Sequence, residues 1–211
     1  MGEIHQSADF HPAYICYILA TSTAWAVTPN ILGLYYDELT TNLDYFLIGM
    51  QVAILISSNL HWCNHSKDSL YAWIDTILVG FFVLLLIFKM FYTRDMKLIA
   101  YGISSLLASG AFFYYSCIVR YTENKELGLW LHIMFRYFIW VFIVLNSCPI
   151  WRTENSITNV GLISFFYFAH VIINCYLYRT VEFNIKDNIL LGNLIVLVLG
   201  VFCCCIIIER T

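Results

Sequence analysis

Charge is what this sequence has least of. Asp, Glu, Lys and Arg make up 12% of its 211 residues, where an ordinary globular domain carries about 25%. Hydrophobic residues reach 61%, and the mean hydropathy is +0.74. A water-soluble class is excluded. Long polar segments are missing too, and no stretch between the apolar runs is long enough to fold by itself. Any chemistry is therefore confined to the bilayer or its rim. The opening Met1-Gly2-Glu3-Ile4-His5-Gln6-Ser7 has no basic region of the signal-peptide kind. It also places Ser7 one position too late for myristoylation, so the first apolar run is expected to act as its own insertion signal. There is no phosphate loop, no Cys-x-x-Cys pair and no nucleophile elbow. No internal repeat is visible, which argues against an inverted-repeat transporter. Nothing points to nucleic acid; the partners expected are membrane lipids and a small-molecule ligand.

Apolar length is what the chain has instead. Runs extend from Pro12 to Leu34, Tyr45 to Trp62, Leu70 to Tyr92, Met96 to Arg120, Gly128 to Ile150, Ile157 to Tyr178 and Asn188 to Ile208. Each is near the ~20 residues that a helix needs to cross a ~30 Å hydrocarbon core. The expectation is one all-α integral membrane domain over residues 1–211, a seven-transmembrane helix bundle with short loops. Pro29-Asn30 should kink the first helix. Ser104, Ser105, Ala108, Ser109 and Gly110 form a small-residue surface on the fourth. It suits close helix approach, within the bundle or between copies in a homo-oligomer.

Lys and Arg divide evenly between the two sides, so the positive-inside rule does not orient the chain by count. The densest cluster, Lys89 to Lys97, lies on the side of the C-terminus. That places the C-terminus in the cytosol and the N-terminus outside or in a lumen, in the plasma membrane or an endomembrane. Asn64-His65-Ser66 is a glycosylation sequon on the N-terminal side and agrees with this orientation. Cys63 and Cys117 on that side could form a bridge in an oxidising compartment; buried free thiols are the alternative.

The few polar groups inside the apolar runs are costly and mark function. Ser57 and His61 lie four apart near the end of helix two, His132 and Arg136 four apart in helix five, and His170 and Asn174 four apart in helix six. Residues four apart share a helix face. Asp75 lies near the start of helix three. Because successive helices alternate in direction, all seven residues are expected in the membrane half nearest the N-terminus. A one-sided pocket open to that side follows, with Ser57, His61, Asp75, His132, Arg136, His170 and Asn174 as ligand-binding residues. Arg136 with Asp75 is otherwise an ion pair locking helices three and five. His61, His132, His170 and Asp75 would also serve as a zinc set, catalytic zinc taking three protein ligands and one water. Arg136 beside them counts against a dication and suits an anionic ligand.

Ser57-Ser58-Asn59-Leu60-His61 followed by Asp75 resembles the Ser-x-x-x-His and Asp elements of the CREST superfamily, over residues 57–76. That group includes alkaline ceramidases, progestin and adipoQ receptors and myomaker-like proteins. The resemblance implies seven helices and, in the enzymatic members, zinc-dependent hydrolysis of lipid amides. The family's His-x-x-x-His entering the last helix is absent here; that helix begins Asp187-Asn188-Ile189-Leu190 and contains no histidine. Arg136-Tyr137-Phe138-Ile139-Trp140 is similar to the Arg-Tyr-x-x-Trp of microbial rhodopsins, but no lysine in the last helix could hold retinal. The leading reading is a non-enzymatic, receptor-like protein binding a small ligand or lipid. A zinc-dependent lipid amide hydrolase and a small-solute or ion transporter are the alternatives.

Overall fold

A computed structural model describes residues 13–28, 41–64, 70–122, 124–147, 156–178 and 185–208. They form seven helices: α1 Ala13–Ser22, α2 Asn42–Asn64, α3 Leu70–Thr93, α4 Met96–Thr122, α5 Lys125–Ser147, α6 Ser156–Tyr178 and α7 Ile185–Ile208. No strand occurs among the described residues. Five of these helices, α2 to α6, are long and apolar enough to cross a membrane, which fits a multi-pass membrane protein. The first run departs from expectation. Its helix breaks into a turn at Thr23 and resumes over residues 24–28. Pro29-Asn30 lies outside the described residues. So do His65 and Ser66 of the sequon, whose Asn64 is the last residue of α2.

Side-chain chemistry sets several helix starts. Thr41 precedes α2, accepting from the Asp44 amide at 3.3 Å and donating to Asp44 Oδ2 at 2.5 Å. The Thr41 hydroxyl thus caps one orphan amide of the first turn. Asn124 Oδ1 receives the Leu127 amide at 2.9 Å and opens α5 in the same way. Between α3 and α4 the chain turns in two residues, Arg94 and Asp95. Arg94 takes the left-handed φ of 55°, and Asp95 Oδ1 accepts the amides of Lys97 and Leu98 at 2.9 and 3.2 Å. Asp95→Ala should therefore lower stability by about 1 kcal/mol, read from unfolding in detergent micelles. An unchanged midpoint would mean that water or headgroups replace the cap.

Contacts fix the directions. Asp44 meets Lys89 at 2.5 Å and Ser57 meets Asp75 at 3.0 Å, so α2 and α3 run antiparallel. Tyr137 bonds Ser164 at 2.6 Å and Tyr167 bonds the Ile133 carbonyl at 3.4 Å, so α5 and α6 do likewise. On α7, Gly192 lies against the Tyr17 hydroxyl and Gly200 against the Thr28 side chain, which makes α7 parallel to α1. Alternating directions thus hold wherever paired contacts test them.

The core is not shared evenly. α1 packs against α2, α5, α6 and α7, and Ile15 through Ser22 are all buried. The other helices turn large apolar residues outward, among them Ile77, Leu107, Phe165 and Leu194, each more than half exposed. A bilayer would cover that surface at no hydrophobic cost. Cys63 and Cys117 are not joined by a disulfide, so the bridge considered from the sequence does not form.

Candidate functional site

Thr21-Ser22-Thr23 is the local cause of the site. Hydroxyls inside a helix bond back to preceding carbonyls and bend it. Thr21 Oγ1 donates to the Tyr17 carbonyl at 2.9 Å and Ser22 Oγ to the Leu19 carbonyl at 2.9 Å. The Thr23 amide turns to the Ala20 carbonyl, only three residues back, at 3.4 Å. The Leu19 carbonyl is left at an opened turn in the centre of the protein.

Arg136 of α5 fills that opening. Its Nη1 donates to the Leu19 carbonyl and to Thr23 Oγ1 at 2.7 Å, and its Nη2 donates to Ser58 Oγ at 2.9 Å. The guanidinium carbon stands 5.4 Å from the centre of the Trp62 ring, a cation–π distance. One side chain so ties α5 to α1 and α2. A guanidinium has five N–H donors, and these bonds use three of them. The Nε–H and the second Nη2–H have no acceptor among the described residues.

A cavity of about 430 Å3 lies beside this group, lined by residues of α1 to α5. Its polar end holds Asp75, His132, Arg136, Ser58 and Thr23; its apolar end holds Phe82, Val83, Leu84 and Ile143, with Gln51 on one wall. From Asp75 to Leu84 the α3 wall is roughly 13 Å long at ~1.5 Å per residue. The cavity is a slot along the helices, polar at one end.

Four of the seven residues singled out from the sequence meet here. Asp75, His132 and Arg136 line the cavity, and the single hydroxyl hydrogen of Ser57 is shared between the Asp75 carboxylate at 3.0 Å and the Ile54 carbonyl at 3.1 Å. The expected Arg136–Asp75 lock is not made. Among the described residues, the ion pair within 4.0 Å is Lys89–Asp44 at the far end of α2. Asp75 and Arg136 face the same cavity without touching.

His61 and His132 both rest on Trp62, at 4.8 and 5.5 Å between ring centres. His170 and Asn174 are placed elsewhere. His170 lies behind α1 against Trp25, its Nε2 at 3.2 Å from Thr21 Oγ1. Since that hydroxyl gives its proton to the Tyr17 carbonyl, Nε2 carries the hydrogen and Nδ1 is left as a buried acceptor without a partner. Asn174 donates to the His170 carbonyl of its own helix at 2.7 Å. The reason for the split is α1, which stands between α6 and the cavity. The four zinc candidates are divided with it, and no group of three His, Cys, Asp or Glu gathers among the described residues. Among the described residues these side chains do not fit a three-ligand zinc site.

Thr23, Ser58, Trp62 and the Leu19 carbonyl escaped the reading by spacing. The signal that could have found them was the three consecutive hydroxyl residues in an apolar helix. No family of known proteins, no curated protein and no solved structure matches this chain.

Proposed function

We propose that this multi-pass membrane protein binds a small ligand or lipid inside the bilayer, in the slot between α1, α2, α3, α4 and α5, and acts as a receptor or carrier without catalysing a reaction. The observation that carries this reading is Arg136: a guanidinium on a cavity wall with, among the described residues, open donors and no carboxylate within 4.0 Å. Burying such a charge costs several kcal/mol unless a partner compensates. A bound ligand supplies one. A volume of 430 Å3 is within the ~300–1,000 Å3 typical of sites for small molecules.

Mass spectrometry of the protein released intact from lipid nanodiscs tests this. A co-purifying species lost in Arg136→Met supports the reading, and an empty wild-type protein that takes up no added amphiphile overturns it. Asp75→Asn keeps an oxygen for the Ser57 hydroxyl and takes one charge from the wall. Anionic ligands should then bind about fivefold tighter, for a change of ~1 kcal/mol in the local field, and cationic ones weaker. Equal affinities before and after would remove Asp75 from the site.

One observation favours a second reading. The Ser57–Asp75 hydrogen bond joins the two residues that carry the resemblance to the CREST superfamily, whose enzymes are zinc-dependent lipid amide hydrolases. Stoichiometric zinc in the purified protein, lost on His132→Ala, would favour that hydrolase over a binder. Solute flux in liposomes that depends on Asp75 would favour a transporter.

A further inference from the structure

We infer that the ligand is a single-chain amphiphile with an anionic oxyacid head, and that it enters sideways from the lipid phase through a gap between α3 and α4. The inference rests on the binding role proposed above and adds its route and its chemical class.

The route is visible in how two neighbouring helices part. α3 and α4 are joined by the two-residue turn at Arg94-Asp95, yet they pack far more sparsely on each other than α4 does on α5. Near the turn they close, with Gly102 of α4 against the Met90 sulfur of α3. Further along, at Gly80 and Gly110, an added Cβ would meet no atom within 4 Å. Both glycines line the cavity, and both are exposed. Thr76, Gly80 and Leu84 are cavity-lining and exposed at intervals of four residues, which is one stripe of a helix. They form one lip of a mouth; Gly110 and Phe113 form the other. Gly80 is near the middle of α3 and Gly110 near the middle of α4. The mouth therefore opens at the depth of the acyl chains, where its surroundings, Ile77, Phe81 and Leu107, are exposed and apolar.

The class follows from shape and charge. The slot runs along the helices, polar at the Arg136 end and apolar at the Leu84 and Ile143 end. A body with one head and one chain matches it. At the polar end the guanidinium of Arg136 keeps its charge at any working pH and still has donors to offer. Arg136 is thus the charge that an occupant must answer, and its two open N–H groups suit a carboxylate or phosphate oxygen.

The test uses the full chain in phosphatidylcholine nanodiscs and three photoactivatable probes with the same sixteen-carbon chain: the fatty acid, the lysophosphatidic acid and the fatty acid methyl ester. Wild type should be labelled saturably by an acid probe and about tenfold less by the ester. The stronger of the two acid probes identifies the head as carboxylate or phosphate. Gly80→Phe and Gly110→Phe put a ring into the mouth at positions where a Cβ meets no atom within 4 Å, and should cut labelling about tenfold. Gly161→Phe, which adds the same ring at an exposed and equally open position on α6, should not change it. Plugged variants labelled as fully as wild type would overturn the lateral route while leaving the binding role intact. Equal labelling by the ester would overturn the anionic head. A wild-type protein without saturable labelling by any probe would overturn the binding role itself.

Discussion

Arg136→Met is expected to weaken binding of an anionic ligand by about 2–5 kcal/mol, roughly thirtyfold to several-thousandfold in Kd. The change removes the guanidinium that faces the cavity and keeps an apolar chain of similar length against Trp62. Its effect on the fold should be far smaller. Three hydrogen bonds are lost, to the Leu19 carbonyl, Thr23 and Ser58, and each bond to a charged donor is worth ~1.5–3 kcal/mol. Against that stands the desolvation of the cation, itself several kcal/mol, which the variant no longer bears. The two nearly offset. Titration of a fluorescent fatty acid into nanodiscs, alongside thermal unfolding of the same samples, separates the roles. A variant that binds normally but unfolds early would show that Arg136 is a staple for the broken turn of α1. Arg136→Lys should bind with intermediate affinity, because an ammonium cannot fork across Leu19, Thr23 and Ser58 while also serving a ligand.

Gly200→Ala should destabilise the protein by about 1–3 kcal/mol, as overpacking does in a close-fitting interface. A Cβ at position 200 would stand 2.6 Å from Thr28 Oγ1, 2.7 Å from Cγ2 and 3.0 Å from Cβ. Thr28 is 1% exposed and bonds the Ala24 carbonyl at 3.2 Å, so it has nowhere to turn. The same change at Gly192 should cost less, because there the obstacle is the far end of the Tyr17 ring. Adding Thr28→Ala to Gly200→Ala removes two of the three obstructing atoms and should recover part of the loss. Chemical unfolding in detergent would show it. Strict additivity of the two losses would mean that α1 and α7 are less closely packed at this point than they stand here.

The helix limits could be read directly: the runs from Tyr45, Leu70, Met96, Gly128, Ile157 and Asn188 each begin within three residues of α2 to α7. Crossing a bilayer needs a certain length of apolar chain, and length is a property of one dimension. The alternation of helix directions was legible for the same reason. Alternating directions bring Ser57 beside Asp75 and Ser58 beside Arg136, as counting the runs implies. The break at Thr23 was written in Thr21-Ser22-Thr23, although hydropathy alone passes over it.

The amino-acid sequence by itself determined that this is a chain of apolar helices fit for a membrane, and where α2 to α7 start and stop. Only the tertiary structure decided that α1 is the buried centre, that His170 and Asn174 fall behind it, and that α3 and α4 part at Gly80 and Gly110. The reason is that in a bilayer the outside is as apolar as the core. Helices that are hydrophobic around most of their circumference carry little record of which face turns inward, so the choice of neighbours rests on packing, close glycine contacts and a few hydrogen bonds.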